Sequence, residues 1–164
     1  MLVIVSKVTR MNHIGVPVSD LERSVTWYAD VLGIEPNGVT ISATTPALGP
    51  VVEVENPSMR ASFALAGDNV LLELIQYENP QPQPFAGRNC DVGVMHLCFE
   101  VDDLDAAHRE LLERGVHVNA DPVVLQDGDG VHAGSLAGTK ILYLRDPDGI
   151  QLELFELPTR ATPK

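Results

Sequence analysis

The sequence predicts an α+β chain built from two equivalent modules, each one strand, one helix and three further strands. Three observations predict it. The segment Met11 to Gly33 recurs as Val94 to Gly115, so that His13, Val18, Asp20 and Leu21 are answered by His96, Val101, Asp103 and Leu104, all 83 positions later. Leu72-Glu73-Leu74 recurs as Leu152-Glu153-Leu154, 80 positions later. Between the copies lies a proline-rich stretch, Asn79 to Cys90, without periodicity. A unit of this length, used twice, is a duplicated module rather than a solenoid repeat. The boundaries follow as an N-terminal extension at 1–10, modules at 11–78 and 93–158, a linker at 79–92 and a tail at 159–164.

The first module opens on an alternating strand, with Ile14, Val16 and Val18 on one face and His13, Gly15 and Pro17 on the other. Ser19 with Glu22 forms a capping box, and Leu21, Val25, Tyr28 and Leu32 make a helical stripe that stops at Gly33. That helix is expected to cover the aliphatic face of the strand. Pro36 to Ser58 reads as a long surface excursion around one short β-prone run, Val51 to Val54. Met59 to Ala66 and Val70 to Tyr77, joined by Gly67-Asp68-Asn69, form a hairpin whose second strand carries Glu73.

The second module repeats this order. Met95, Leu97, Phe99 and Val101 form the aliphatic face of its first strand, and His96, Cys98 and Glu100 the other. Asp102 is the expected cap of a helix bearing Leu104, Ala107 and Leu111, stopped by Gly115; His108 falls on its packed side. Gln126 to Gly138 is glycine-rich, and its DGDG reads as a turn because the later acidic ligand of a calcium loop is missing. Lys140 to Leu144 and Ile150 to Glu156 form the last hairpin across Asp146-Pro147-Asp148-Gly149.

Composition narrows the function. A net charge of −12 over 164 residues disfavours nucleic acid and anionic lipid surfaces as partners. No apolar run approaches the ~20 residues of a membrane span, and MLVIVSKVTR lacks the basic leader of a signal peptide. Cys90 and Cys98 stand in no CxxC spacing and read as reduced thiols. A soluble cytoplasmic protein acting on a small molecule is expected.

The candidate site comes from the repeat. Each module begins with a strand histidine and closes with a strand glutamate, and pseudo-twofold pairing would bring His13, Glu73, His96 and Glu153 to one point. Two imidazoles and two carboxylates suit one divalent metal ion such as Zn, Ni, Co, Mn or Fe(II), with room left for water or substrate. The carboxylates also balance its charge, whereas two of them facing each other without a cation would be costly.

The chain resembles the vicinal oxygen chelate superfamily, which includes glyoxalase I, methylmalonyl-CoA epimerase, extradiol dioxygenases and fosfomycin or bleomycin resistance proteins. His13-Ile14, Val16, Val18, Ser24, Tyr28 and Leu32-Gly33 fall where the glyoxalase I N-terminal pattern wants them; Trp27 stands in place of Phe, and Ile34 departs. The resemblance implies paired βαβββ modules forming a cupped mixed sheet around a metal-binding cleft, with ligands at His13, Glu73, His96 and Glu153. It implies a substrate that chelates through vicinal oxygens, and a homodimer whose modules pair within one chain or across two.

The chemistry expected is that of a glyoxalase- or epimerase-like lyase or isomerase. A proton next to a carbonyl is abstracted, the metal stabilises the resulting enediolate or enolate, and Glu73 and Glu153 are the candidate catalytic bases. Glu100 and Gln151 share the parity of the ligands. The alternative is a nonheme Fe(II) ring-cleaving dioxygenase using His13, His96 and Glu153. Leu142-Tyr143, Asp146-Pro147, Gly149 and Glu153 match the second half of the extradiol signature, but His132 lies too far before Leu142, and Glu73 would fill a position that catechol or O₂ needs. A metal-free binding protein of the resistance type is the second alternative, disfavoured because bleomycin-binding relatives lack such ligands. Glutathione adducts and acyl-CoA thioesters both carry the needed oxygens, and Arg60, Arg88 or Arg145 would offset the acidic balance toward CoA.

Overall fold

The computed structural model describes residues 8–68, 70–84, 86–126, 128 and 136–158. Most of the glycine-rich loop, with its DGDG turn and His132, lies outside the described residues. So do the first seven residues of the extension and the C-terminal tail. The chain divides into two compact units, Met1–Gln83 and Pro84–Lys164. Among the described residues no helix is long and apolar enough to cross a membrane.

In the first unit β1 (His13–Pro17) leads into α1 (Leu21–Leu32), followed by β2 (Pro36–Thr44), β3 (Ser58–Ala66) and β4 (Val70–Asn79). The sheet order is β1-β4-β3-β2, with β1 parallel to β4 and the other pairs antiparallel. The second unit has β5 (His96–Glu100), α3 (Leu104–Glu113), β6 (Val123–Val124), β7 (Lys140–Arg145) and β8 (Gln151–Glu156), in the order β5-β8-β7-β6 with β5 parallel to β8. The α+β class and the strand, helix, three-strand order are those expected.

Burial follows the alternation. Val16 is buried between exposed Gly15 and Pro17, and Leu72 and Leu74 flank Glu73 on the opposite face. α1 packs on β3 and β4, and α3 on β7 and β8. Tyr28, Leu72 and Leu74 are fully enclosed in the first unit, and Leu104, Leu144 and Leu152 in the second. At the start of each helix a strand side chain binds a free backbone amide: Gln76 Oε1 accepts from Leu21 N (2.9 Å), and Glu156 Oε2 from Leu104 N (2.7 Å).

Three expectations need correction. Pro36–Thr44 is a strand, and Val51 to Val54 is not; Gly49–Val52 is a short helix, α2, after a 3-10 turn at Pro46–Leu48. β2 is an edge strand exposed along nearly its whole length, so no apolar alternation marks it. Pro46 and Pro50 preset the helical φ of the turns that follow, and the Thr45 hydroxyl accepts from Ala47 N. The helix caps are Asp20 and Asp103, each accepting from the amide three residues on, rather than Ser19 and Asp102. Ser19 Oγ instead accepts from the Arg23 guanidinium. Finally, Ser24 is fully buried while Val25 is half-buried, so the packed stripe of α1 runs through Leu21, Ser24 and Tyr28.

Candidate active site

Pleating and register place the predicted residues within each unit. On β1 and β4 the Cα partners are His13 with Leu71 and Gly15 with Glu73. Residues two apart on a strand share a face, so His13, Gly15, Leu71 and Glu73 stand on the side opposite the helix. The diagonal is short enough for contact: His13 Nε2 lies 3.2 Å from Glu73 Oε2. In the second unit His96 pairs with Gln151 and Cys98 with Glu153, and His96 Nε2 lies 3.0 Å from Glu153 Oε2. Both glutamates are largely buried, at 14% and 11% side-chain exposure, while the histidines keep 42% and 44%. The sequence-predicted residues therefore come together as two like pairs, each a shielded carboxylate under an accessible imidazole. Among the described residues no three His, Cys, Asp or Glu side chains are gathered tightly enough to hold a metal ion.

The donor chemistry fits a cation. His13 Nδ1 lies 2.9 Å from Asn12 Oδ1, a contact that suits the tautomer with its proton on Nδ1. In that tautomer the lone pair of Nε2 and a carboxylate oxygen of Glu73 stand side by side as two donor atoms that a metal ion would bridge. The same side chains are hard-to-borderline ligands of the type that bind Zn, Mn, Co, Ni or Fe(II).

Around these like pairs the units differ. Phe63 is the register partner of Glu73, and its ring meets His13 edge to face with centroids 6.3 Å apart. Tyr143 holds the equivalent place beside Glu153 and packs against His96 at 5.5 Å. The Tyr143 hydroxyl and the Cys98 thiol both donate to Glu153. Burial, followed by the Glu153 carboxylate, pushes Tyr143 up to about 12; burial, followed by the same charge, pushes Cys98 up to about 11. At the place equivalent to Cys98, beside Glu73, stands Gly15, where a Cβ would meet Ile75 Cδ1 at 3.4 Å and Glu73 Oε2 at 3.9 Å. Asn12, Phe63 and Tyr143 were not expected at the site. The 80-residue offset that pairs Glu73 with Glu153 also pairs Phe63 with Tyr143, which is the signal that could have found those two.

Glu100 is exposed and lies on the site-side face of β5, and Gln151 is buried. His108 is partly buried on α3, its Nε2 3.8 Å from Asp121 Oδ1, and takes no part. Cys90 and Cys98 are both free thiols.

A family model described as "Glyoxalase/Bleomycin resistance protein/Dioxygenase superfamily" matches residues 10–154, which includes all four ligand candidates. The chain belongs to that superfamily. It is 31% identical over 154 residues to a 2-epi-5-epi-valiolone epimerase of Actinomyces sp, covering 92% of this chain and 81% of that protein. It is 27% identical to mouse mitochondrial methylmalonyl-CoA epimerase, over 90% of this chain and 73% of that one. A glyoxalase family protein from Bacillus cereus shares the fold, with TM-score 0.72 at 19% identity over 95% of this chain and 99% of that one. The fosfomycin resistance protein FosX from Listeria monocytogenes, solved with Mn(II) and sulfate, aligns with TM-score 0.58 at 13% identity over 93% of this chain and 96% of that one.

Proposed function

We propose that this superfamily member is a divalent-metal-dependent epimerase that moves a proton on the carbon next to a carbonyl. The observation that carries the reading is the duplicated histidine–glutamate pair, 3.2 Å apart in one unit and 3.0 Å in the other. The names of the relatives support the same chemistry, since both act as epimerases. FosX, with its Mn(II), supports a divalent ion on this fold.

His13, Glu73, His96 and Glu153 would hold the ion, which when bound supplies Lewis-acid stabilisation of the negative charge that develops on the substrate oxygens. The proton itself is left to the protein. Epimerisation removes it from one face of the carbon and delivers it to the other, and carboxylates from two equivalent modules suit those opposed roles. Glu73 is the better acceptor by surroundings, because among the described residues it faces His13, whereas Glu153 already receives the Tyr143 hydroxyl and the Cys98 thiol. Tyr143 and Cys98 act as donors that keep Glu153 in place.

The test is deuterium exchange. Protein reconstituted with Mn(II), Co(II) or Zn(II) is incubated in D₂O with methylmalonyl-CoA or 2-epi-5-epi-valiolone, and label at the carbon next to the carbonyl is followed by NMR. Label with inversion is expected, reduced about 10²- to 10⁴-fold in Glu73→Gln and in Glu153→Gln. Full exchange in both variants would sink the assignment. Rapid oxygen uptake with a catechol after anaerobic loading with Fe(II) would favour ring cleavage instead.

A further inference from the structure

We propose that the second unit carries an oxyanion-binding pocket, beside the His96–Glu153 pair, that takes a carboxylate or phosphate with a hydroxyl next to it. The proposal rests on the epimerase reading only in making this group the far end of the substrate. The cavity, about 530 Å³, is lined by Arg88, Asn89, Asn119, Arg145, Gly149 and Gln151.

Gln151 supplies the first argument. It is 3% exposed, and its Nε2 donates to the Leu144 carbonyl at 3.2 Å. A carbonyl oxygen accepts and never donates, so that contact fixes which end of the amide is which. The other end, Oε1, is buried and has no hydrogen-bond partner. A buried acceptor without a partner, on a residue that lines a cavity, calls for a donor, and a ligand hydroxyl seated against Gln151 would be such a donor.

Arg145 supplies the second. It is the register partner of Gln151 across β7 and β8. Its Nη1 donates to the Gly149 carbonyl at 2.6 Å, which aims the guanidinium without neutralising it. Among the described residues no carboxylate pairs with Arg145, in a chain with 23 acidic and 11 basic side chains. Two acids beside the lining residues are engaged elsewhere: Asp91 grips Arg88 at 2.7 Å, and Asp146 Oδ1 accepts the amides of Asp148 and Ile150. A guanidinium fork without an acid, in a cavity also lined by Asn89 and Asn119, matches the chemistry of a carboxylate or phosphate.

The sister unit supplies the third. At the positions equivalent to Arg145 and Gln151, 80 residues earlier, stand Leu65 and Leu71, which are register partners in the same way. The fold is satisfied by two leucines there, so the arginine and glutamine are not required by packing. Gln151 precedes Glu153 by two residues on the same face of β8, a separation of about 7 Å. One small molecule spans that distance, with its reacting carbonyl at the histidine–glutamate pair and its oxyanion at Arg145.

Metal-free protein is titrated calorimetrically with glycolate, acetate and inorganic phosphate, with no turnover involved, so the result is independent of the epimerase reading. Saturable binding of glycolate or phosphate is expected, and the tighter of the two identifies the oxyanion. Arg145→Leu and Arg145→Gln weaken it by about tenfold or more, while Arg109→Gln, on the exposed side of α3, leaves it unchanged. Gln151→Leu removes the preference for glycolate over acetate. Leucine is what the sister unit carries, and a thermal melt verifies that these variants fold. Equal affinity in wild type and both Arg145 variants, or no saturable binding of any of the three anions, would overturn the proposal.

Discussion

Gly15 and Cys98 hold equivalent places beside Glu73 and Glu153, and the difference between them is chemical rather than conformational. Gly15 lies in the interior of β1 with ordinary strand geometry, and the nearest atom to an added Cβ is the flexible end of Ile75. Gly33 is another matter: its φ of 66° ends α1, where its amide bonds to the carbonyls of Ala29 and Tyr28. Alanine at residue 15 should therefore be neutral or stabilise by up to about 0.5 kcal/mol, while alanine at residue 33 should cost about 1 to 2 kcal/mol. Urea denaturation of the two variants checks this, and a larger loss at residue 15 than at residue 33 contradicts it. The same contrast explains what could be read from the sequence. His13, Glu73, His96 and Glu153 were legible because both copies keep them; the places of Tyr143 and Cys98 beside Glu153 were not, because there the copies differ. Repetition reveals what the modules share, and specificity lies where they diverge.

Each helix is tied to its sheet by a cation that the duplication also preserves. In the first unit Arg60 bonds Glu22, Glu78 and Gln76; in the second Lys140 bonds Asp105 at 2.7 Å and Glu156 at 3.2 Å. Arg60 and Lys140 are 80 positions apart, and Glu22 and Asp105 are 83 apart, the same offsets as the ligand candidates. Arg60 is thereby committed to structure, and of the three arginines considered as CoA contacts only Arg88 and Arg145 line the cavity. The Lys140 hydrogen bond holds the Asp105 carboxyl below its ordinary value, and the same bond holds Lys140 above its own. Asp105 thus contributes stability above the ordinary carboxylate range, lost as pH falls through its lowered pKa; Lys140 contributes below the ordinary lysine range, lost as pH rises through its raised one. Lys140→Met should accordingly lower the urea midpoint by a constant amount near neutrality, with the gap to wild type closing in strong acid and in strong base. A gap that stays level into acid would show that Asp105 is not the partner. Strand β2 shows why element prediction failed where it did: an exposed edge strand has no apolar face to leave a pattern.

At the scale of the whole chain, two units present the same histidine–glutamate pair, and this alone permits two outcomes. Each pair could take its own ion, giving two per chain, or the pairs could supply one ion together, giving one per chain whether the modules meet within a chain or between two copies. Ligand number favours the second. A divalent ion bound by one imidazole and one carboxylate keeps most of its coordination shell as water and is held weakly, whereas two of each complete a site with both charges balanced. The net charge of −12 would attract cations to either arrangement without selecting one. The discriminating substitution is therefore in a single unit. With shared ligation, elemental analysis after dialysis should find one ion per chain in the wild type, and His13→Ala alone, or His96→Ala alone, should lower it to less than about one tenth, since loss of a ligand strips a site formed by four. With separate sites each variant would keep half of the wild-type metal. Retention of half the ion in both variants would dismiss the shared centre, and with it the assignment of opposed roles to Glu73 and Glu153.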